Sequence, residues 1–272
     1  MRTSDRRRDA LLVAPAAVAI VVLFGGAVAG AIRTSLVPLE GSVSLDAWGS
    51  LLDDPAFVDA LALTGRTALL ATAISAAVAL LLAVGLRDRG GLVRAVVALP
   101  VPVPHLIAAT AAVVWLGPGG LAERLLGTLP LQLVRDDAGL GIVAVYAWKE
   151  IPFLVLLLLA ACGTTLRQRE EAAGVLGLNS WQRLRWVTWP ALRGPLVVGA
   201  IIVAAYVLGS FEVPLVVGPN HPPTLATFAL EATQGDLIAG QARAAAALLV
   251  ATGLSVLLAM AAIRFARDVE GR

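Results

Sequence analysis

Six apolar stretches of about 20 residues recur along this chain of 272 residues, and they constrain its fold more than any other feature. A helix rises about 1.5 Å per residue, so one such stretch crosses about 30 Å of hydrocarbon. Only 15% of the residues are charged, against roughly 25% in soluble domains. The sequence therefore predicts an all-α integral membrane protein with six transmembrane helices in a single domain, 1–272. The predicted spans are about 10–32, 64–86, 93–116, 139–162, 195–218 and 242–264.

The arginines predict the orientation of these spans. Loops that bear most of the arginines face the cytoplasm in membrane proteins, and six crossings place both termini on one side. We therefore predict cytoplasmic termini, and we interpret the first stretch as a retained helix because it is longer than the apolar region of a signal peptide. The arginines assigned to the cytoplasmic side are Arg2, Arg6, Arg7, Arg8, Arg87, Arg89, Arg94, Arg167, Arg169, Arg183, Arg185, Arg193, Arg264, Arg267 and Arg272.

The predicted third span is irregular near its start. Pro100, Pro102 and Pro104 alternate there, and each proline removes a helix hydrogen bond and clashes with the preceding turn. Such a segment is tolerated at membrane depth only where protein or water covers it. Two interpretations stay open, a kinked packing helix and a break that lines a cavity.

A polar, arginine-rich island, residues 163–194, separates the fourth and fifth spans. We predict two short helical pieces around the turn Gly177–Ser180. Glu170 and Glu171 are expected near the start of the first piece, where acids favour the helix dipole. Either Asn179 or Ser180 can cap the second piece.

The second piece of the island is predicted over 181–187. Trp181, Leu184 and Val187 fall on one face at steps of three residues. Pro190 and Pro195 are expected to end this helix before the fifth span.

The island resembles the EAA loop of permease subunits in binding-protein-dependent ABC importers. The family pattern is Glu-Ala-Ala, three residues, Gly, nine residues, an aliphatic residue, one residue and Leu-Pro. Glu171-Ala172-Ala173, Gly177, Val187 and Pro190 fit that spacing, with Trp189 in place of the leucine. The segment 148–153 is similar to the family's aromatic-to-Pro-Phe segment, and the resemblance covers roughly residues 44–265.

The resemblance implies the fold of a type I ABC importer permease, with the island as a coupling helix that docks on a separate ATP-binding subunit. It also implies a dimer of ATP-binding cassette subunits, a second permease subunit (a copy or a sister chain) and an external solute-binding protein. ATP and Mg²⁺ would be bound by the partner ATPase and no cofactor by this chain. A solvated linker is the alternative for the island. The residues expected at the ATPase contact are Glu170, Glu171, Ala172, Ala173, Gly174, Gly177, Trp181, Arg183, Val187 and Pro190.

The sequence argues against this chain being an enzyme. It contains no phosphate-binding loop, no His-Glu-x-x-His pair and no Gly-x-Ser-x-Gly elbow. The only histidines, His105 and His221, have no second ligand close in sequence, so we predict no metal site. Cys162 is the only cysteine, which excludes an internal disulfide, and a net charge of +2 gives no nucleic-acid signal.

Three charged residues lie inside predicted spans. A charge at the centre of a span costs about 2.5–3.5 kcal/mol, so Lys149, Glu150 and Glu212 each need a partner or water. We hypothesise that Lys149 pairs with Glu212 or with a second subunit and that Glu150 faces the translocation path. A purely architectural ion pair is the alternative. The candidate pathway residues are Tyr146, Lys149, Glu150, Ser210, Phe211 and Glu212.

The predicted function is that of the transmembrane subunit of an ATP-driven importer in a bacterial inner membrane. Two carboxylates facing water would favour a cationic solute. The end of the fifth span resembles the polyamine, thiamine and ferric-iron branch more than the sugar branch. Two alternatives are an ion-coupled secondary transporter or channel without an ATPase, and a structural scaffold. No inverted repeat of interrupted helices supports the former, and the scaffold leaves the buried charges unexplained.

Overall fold

A computed structural model describes residues 2–37, 42–127, 132–236 and 239–270, with side chains between 13 and 267. The described part of the chain is helical and contains no strand. A π-helical segment, Leu184–Thr188, lies between the ninth and tenth α-helices. The α-helices are α1 (Arg2–Leu36), α2 (Asp46–Leu52), α3 (Pro55–Leu86), α4 (Gly91–Ala98), α5 (His105–Leu116), α6 (Leu121–Leu126), α7 (Leu140–Ala161), α8 (Thr164–Val175), α9 (Ser180–Arg183), α10 (Trp189–Gly209), α11 (Glu212–Val217), α12 (Leu225–Gly235) and α13 (Ala239–Glu270).

Six helical segments in the described ranges are long and apolar enough to cross a membrane, which confirms the predicted number of spans. The side of the membrane on which the termini lie stays a prediction. The six segments are Val13–Leu36, Pro55–Leu86, His105–Leu126, Leu140–Ala161, Ser180–Gly209 and Ala239–Arg267.

The predicted third span is two helices, α4 and α5, separated by residues 99–104. We call this interruption the first break. Pro100, Pro102 and Pro104 all lie in it, and none of them has a backbone N–H for a helix hydrogen bond. The structure therefore confirms the predicted irregularity and shows a full interruption between two separate helices.

The predicted fifth span differs from the structure at both ends. Its helix begins far earlier than residue 195, because the segment Ser180–Gly209 is continuously helical. It also stops at Gly209, and a new helix, α11, begins at Glu212. The intervening Ser210 and Phe211 form the second break. Ser210 is extended, with φ −81° and ψ 142°, and its amide bonds only to the carbonyl of Val207, at 3.3 Å.

The described residues divide into two compact units, so the predicted single domain stays a prediction. The smaller unit holds the described residues of Met1–Phe57 and Phe228–Val250. Within it Arg243 pairs with Asp54 and lies 5.7 Å from the centre of the Phe228 ring. The Phe57 and Phe228 rings pack at 5.9 Å. A partly buried ion pair and an aromatic contact thus stabilise this unit.

The larger unit holds Val58–Thr227 and the described residues that follow Val250. Helix α7 lies at its centre and packs against α4, α5, α10 and α11. Gly199 of α10 permits a close approach, since an added Cβ would lie 2.6 Å from Leu157 and 2.7 Å from Leu154. Asp136 accepts hydrogen bonds from the amides of Leu140 and Gly141 at 2.7 and 2.8 Å, which satisfies the first turn of α7. Helix α7 is therefore the fixed element around which both breaks are arranged.

Candidate functional site

The polar island folds into the two helical pieces predicted from sequence, α8 and α9. Gly177 ends the first piece with a φ of +85°, a conformation that glycine adopts without strain. The amide of Leu178 returns to the carbonyl of Ala173 at 3.1 Å, as in a helix C-terminal cap. Asn179 then caps α9, because its side chain and that of Gln182 exchange hydrogen bonds with each other's amides at 2.9 Å. The turn is therefore stabilised on both sides.

The two glutamates of the island have different environments. Both lie in the second half of α8, so the expectation that they sit near its start is wrong. Helix α8 begins at Thr164, further from them than the sequence pattern suggested. The Glu170 carboxylate is mostly buried and accepts from both Arg87 and the Thr188 hydroxyl. The Glu171 carboxylate is exposed and pairs with Arg167 at 3.1 Å.

We call residues Ser180–Thr188 the elbow, which comprises α9 and the π-helical segment. The predicted stop at Pro190 and Pro195 is wrong, because the elbow runs into α10 without interruption. Pro190 lies in the first turn of α10, and the wider π turn immediately before it takes up the missing amide and the ring clash. Proline therefore changes the helix type here and does not end the helix.

The residues of the elbow that were predicted to share one helical face lie in two different environments. Trp181 and Leu184 line a surface groove, whereas Val187 packs against the hydrophobic core. The π turn between Leu184 and Thr188 shifts the angular positions of side chains, so steps of three residues no longer stay on one face. Arg183 is half-buried and bonds to the Ser180 hydroxyl at 3.3 Å.

The remaining predicted contact residues separate into exposed and buried positions. Ala172, Gly174, Gly177 and Pro190 are exposed, and Ala173 is buried. Two apolar side chains that the prediction did not include, Val175 and Leu176, are 89% and 79% exposed beside Gly177. The island therefore has an apolar tip at residues 175–177 and a polar anchor at Glu170.

A second cluster lies at the first break. The buried Lys149 ammonium donates to the carbonyl oxygens of Pro100 and Val101 at 2.6 and 3.1 Å, and also to that of Val103. A broken helix leaves such carbonyls without partners, and an ammonium has three donors. Lys149 thus satisfies the freed backbone. The predicted pairing with Glu212 is not the one the structure shows.

Glu150, the next residue of α7, contacts the other side of the same break. Its Oε1 atom lies 3.0 Å from Nε2 of His105, the first residue of α5. Adjacent α7 residues therefore hold both flanks of the first break, the carbonyls through Lys149 and the α5 start through Glu150. This contact partly covers the Glu150 carboxylate, which was predicted to face the pathway and is about 10% exposed.

Two tyrosine rings pack beside the His105 ring of this contact. The His105 ring lies 4.8 Å from the Tyr206 ring and 6.1 Å from the Tyr146 ring, and the two tyrosines meet edge-on at 6.2 Å. Tyr146 is fully buried, and its hydroxyl has no hydrogen-bond partner among the described residues within 3.5 Å. Tyr206 is 41% exposed, so one edge of the cluster is open.

The second break adjoins the same cluster. Glu212 and Glu150 both interact electrostatically with Tyr146 and Tyr206. Phe211 and Glu212 are exposed at the break and Ser210 is half-buried. The structure thus places the predicted pathway residues near one another, with Lys149 directed away from them toward the first break.

Sequence reasoning missed His105 and Tyr206. His105 was considered only as a metal ligand, and Tyr206 was not singled out within its apolar run. One available signal was the position of His105 directly after Pro104, where a helix must restart. No signal pointed to Tyr206, because its contact partners lie on two other helices.

A family described as "Binding-protein-dependent transport system inner membrane component" matches residues 75–269. Relatives include the inner membrane ABC transporter permease protein YnjC of Escherichia coli, 30% identical over 210 residues. Another is the trehalose transport system permease protein SugA of Mycobacterium tuberculosis, 29% identical over 212 residues.

The relatives differ from this chain in length. The aligned regions cover 76% of this chain but 41% of YnjC, and 74% of this chain and 69% of SugA. The chain thus spans less than half the length of YnjC. The family match begins later than residue 44, where the resemblance was expected to start.

A solved structure shows the same fold. A bacterial alginate ABC transporter, in complex with an alginate-bound periplasmic protein, includes a chain that superposes with a TM-score of 0.77 at 20% identity. The match covers 98% of this chain and 97% of the other. With the family match and the six apolar segments, these results favour the importer interpretation over an ion-coupled transporter. The chain therefore belongs to the inner membrane components of binding-protein-dependent transport systems, as a multi-pass permease subunit of the inner membrane.

Proposed function

We propose that this chain forms half of a translocation pathway and couples it, through the polar island, to a dimer of ATP-binding cassette subunits. A second permease subunit, a copy or a sister chain, completes the pathway, and an external binding protein delivers the solute. ATP and Mg²⁺ bind to the cassette subunits. One observation carries the proposal: Glu170 ties the island to α3 and to the elbow, while the tip at 175–177 is exposed and apolar.

The tip has the features of a docking point. Val175 and Leu176 project from the end of α8, and Gly177 turns the chain without a side chain in the way. Apolar side chains this exposed on a polar island gain free energy when a partner covers them. Glu171 and Arg167 flank the tip as an exposed ion pair that can rearrange on contact.

The anchor converts movement of the tip into movement of the spans. Arg87 directly follows the end of α3 at Leu86, and Thr188 directly precedes α10. Glu170 contacts both side chains, so α8 moves together with the ends of two spans. A charge-assisted network of this kind is stiffer than a single neutral hydrogen bond.

Docking is tested by Leu176→Glu, with Val43→Glu as the matched control. Val43 is 74% exposed and lies far from the island in sequence. The chain is co-expressed with the ATP-binding cassette subunit that co-purifies with wild type, and the bound amount is measured for each variant. We expect Leu176→Glu to lose at least about tenfold of the bound ATPase, because a buried unpaired carboxylate costs several kcal/mol. Equal recovery of ATPase with wild type and Leu176→Glu would contradict the proposal.

Force transmission is tested separately with Glu170→Gln. We expect the ATPase to remain bound, since the tip is unchanged, while solute uptake per ATP hydrolysed falls. The amide keeps a hydrogen bond to Thr188 but loses the ion pair with Arg87. Uptake per ATP equal to wild type would show that the anchor is not the transmitting contact.

We further propose that the solute is a cation, such as a polyamine, thiamine or ferric iron. The relatives are named for trehalose, molybdenum and sulfate, and the solved structure for the acidic polysaccharide alginate. None is named for a polyamine, thiamine or ferric iron, so the choice rests on the charges at the second break. Glu212 is exposed there, directly after the exposed Phe211, and its charge acts on the Tyr206 hydroxyl. Both rings can also contact a cation. The last carbonyls of α10 point toward the same end and carry partial negative charge.

The solute proposal is tested by uptake of labelled putrescine, thiamine and ferric iron into vesicles, with trehalose as the uncharged comparison. The variant is Glu212→Gln, and the control is Glu231→Gln, which is an exposed glutamate on α12. We expect uptake of one cation, reduced about tenfold only by Glu212→Gln. Uptake of trehalose alone, unchanged by Glu212→Gln, would contradict the cation proposal and leave the coupling proposal standing.

A further inference from the structure

A groove of about 430 Å³ lies between the end of α3 and the elbow, at the edge of the polar island. It is largely apolar, and a single charged side chain, Arg185, lines it. Leu80, Leu81 and Val84 lie on one wall, and Trp181, Arg185 and Trp189 lie on the other.

One wall of the groove belongs to a membrane span. Leu80, Leu81 and Val84 lie in the last two turns of α3, which ends at Leu86. At about 1.5 Å per residue, these side chains are within about 9 Å of the end of the span. Leu81 is 73% exposed. This wall therefore lies at the depth where acyl chains meet headgroups, and lipid covers it more favourably than water.

The other wall provides aromatic rings and a positive charge. Trp181 and Trp189 line it and are 70% and 39% exposed. Trp186, which lies next to Arg185 but does not line the groove, is 68% exposed. Tryptophan is enriched at membrane–water interfaces because its ring is apolar and its N–H is polar. The Arg185 guanidinium lies 5.5 Å from the centre of the Trp186 ring, and no carboxylate of the described residues pairs with it.

We propose that this groove binds one anionic phospholipid, with an acyl chain along α3 and the phosphate on Arg185. A guanidinium binds phosphate through two parallel hydrogen bonds, and the unpaired charge of Arg185 complements an anionic headgroup. The lipid then bridges α3 and the elbow, the same two elements that Glu170 joins. The ATPase docking tip at 175–177 contributes no residue to the groove, and Trp181, which was predicted from the sequence to lie at the ATPase contact, is assigned here to the lipid.

The groove is tested by native mass spectrometry of the full chain in detergent with dioleoylphosphatidylglycerol or dioleoylphosphatidylcholine added. The variants are Arg185→Gln, which removes the charge, and Leu81→Trp, which fills the groove. Arg193→Gln is the matched control, because Arg193 is exposed on the adjoining helix and does not line the groove. Thermal unfolding of each variant confirms that it is folded.

We expect wild type and Arg193→Gln to retain phosphatidylglycerol over phosphatidylcholine by about fivefold or more, the scale of one charge-assisted contact. Arg185→Gln removes this preference while apolar binding of both lipids persists, and Leu81→Trp reduces binding of both. Equal retention of the two lipids by wild type would overturn the proposal. So would an unchanged preference in Arg185→Gln, or displacement of bound phosphatidylglycerol by the ATP-binding subunit.

Discussion

The two helix breaks of this protein, one before the segment His105–Leu126 and one after Ser180–Gly209, differ in what satisfies their broken ends. At the first break, residues 99–104, Lys149 and Glu150 of α7 contact both flanks. At the second break, Ser210–Phe211, the contacts near the end of α10 are neutral: the Ser255 hydroxyl donates to the carbonyl of Ala205 at 3.3 Å, and Glu212 is exposed. The first break is thus held by buried charges of α7, whereas the second leaves the charge of Glu212 exposed. Under the proposed function, one helix break serves architecture and the other is available for solute contact.

The comparison implies that charges near the first break contribute to stability and that Glu212 at the second contributes to transport. Three substitutions test this division. All are measured as the free energy of unfolding in mixed micelles, with solute uptake measured in parallel.

The largest effect is expected for Lys149→Met. The substitution keeps a long apolar side chain but removes the ammonium donor from the carbonyls of Val101 and Val103, and leaves that of Pro100 with the Val103 amide alone. Removing one partner from a buried charged contact costs about 3–5 kcal/mol. We expect destabilisation of that size, together with loss of uptake. The control Arg193→Gln removes an exposed positive charge and is expected to change stability by less than about 0.5 kcal/mol.

A smaller effect is expected for Glu150→Gln. The amide oxygen still accepts from His105, but the charge on the contact and the attraction to the neighbouring ammonium of Lys149 are lost. We expect a destabilisation of about 1–2 kcal/mol. A loss as large as that of Lys149→Met would mean that the two flanks of the first break act as one inseparable unit. Combining both substitutions in a double-mutant cycle measures their coupling.

The smallest effect on stability is expected for Glu212→Gln. The Glu212 side chain is exposed and forms no ion pair with a described residue, so unfolding is expected to change by less than about 0.5 kcal/mol. Uptake nevertheless falls, so this substitution separates a transport defect from a loss of stability. Destabilisation comparable to that of Glu150→Gln would remove the distinction between the two breaks.

Much of the architecture was predictable from the sequence. Apolar stretches of the right length predicted the six spans, and alternating prolines predicted an irregular third one. The spacing from Glu171 to Pro190 identified the island and its family. These features are local, since span length, proline chemistry and motif spacing act within one segment. The second break was not predicted, because no proline lies between Gly209 and Phe211 to signal it.

The sequence by itself determined which residues are costly inside a membrane and where the chain cannot stay helical. Only the tertiary structure decided which groups pair with the buried charges and with the backbone at the helix breaks. Lys149 is next to Glu150, yet their side chains leave α7 in different directions and meet different partners. Glu170 and Glu171 are likewise adjacent, and one is an anchor while the other is exposed. The sequence does not show which backbone carbonyls lie close to Lys149. The hydrogen-bond partners of the only lysine are therefore decided by helix packing.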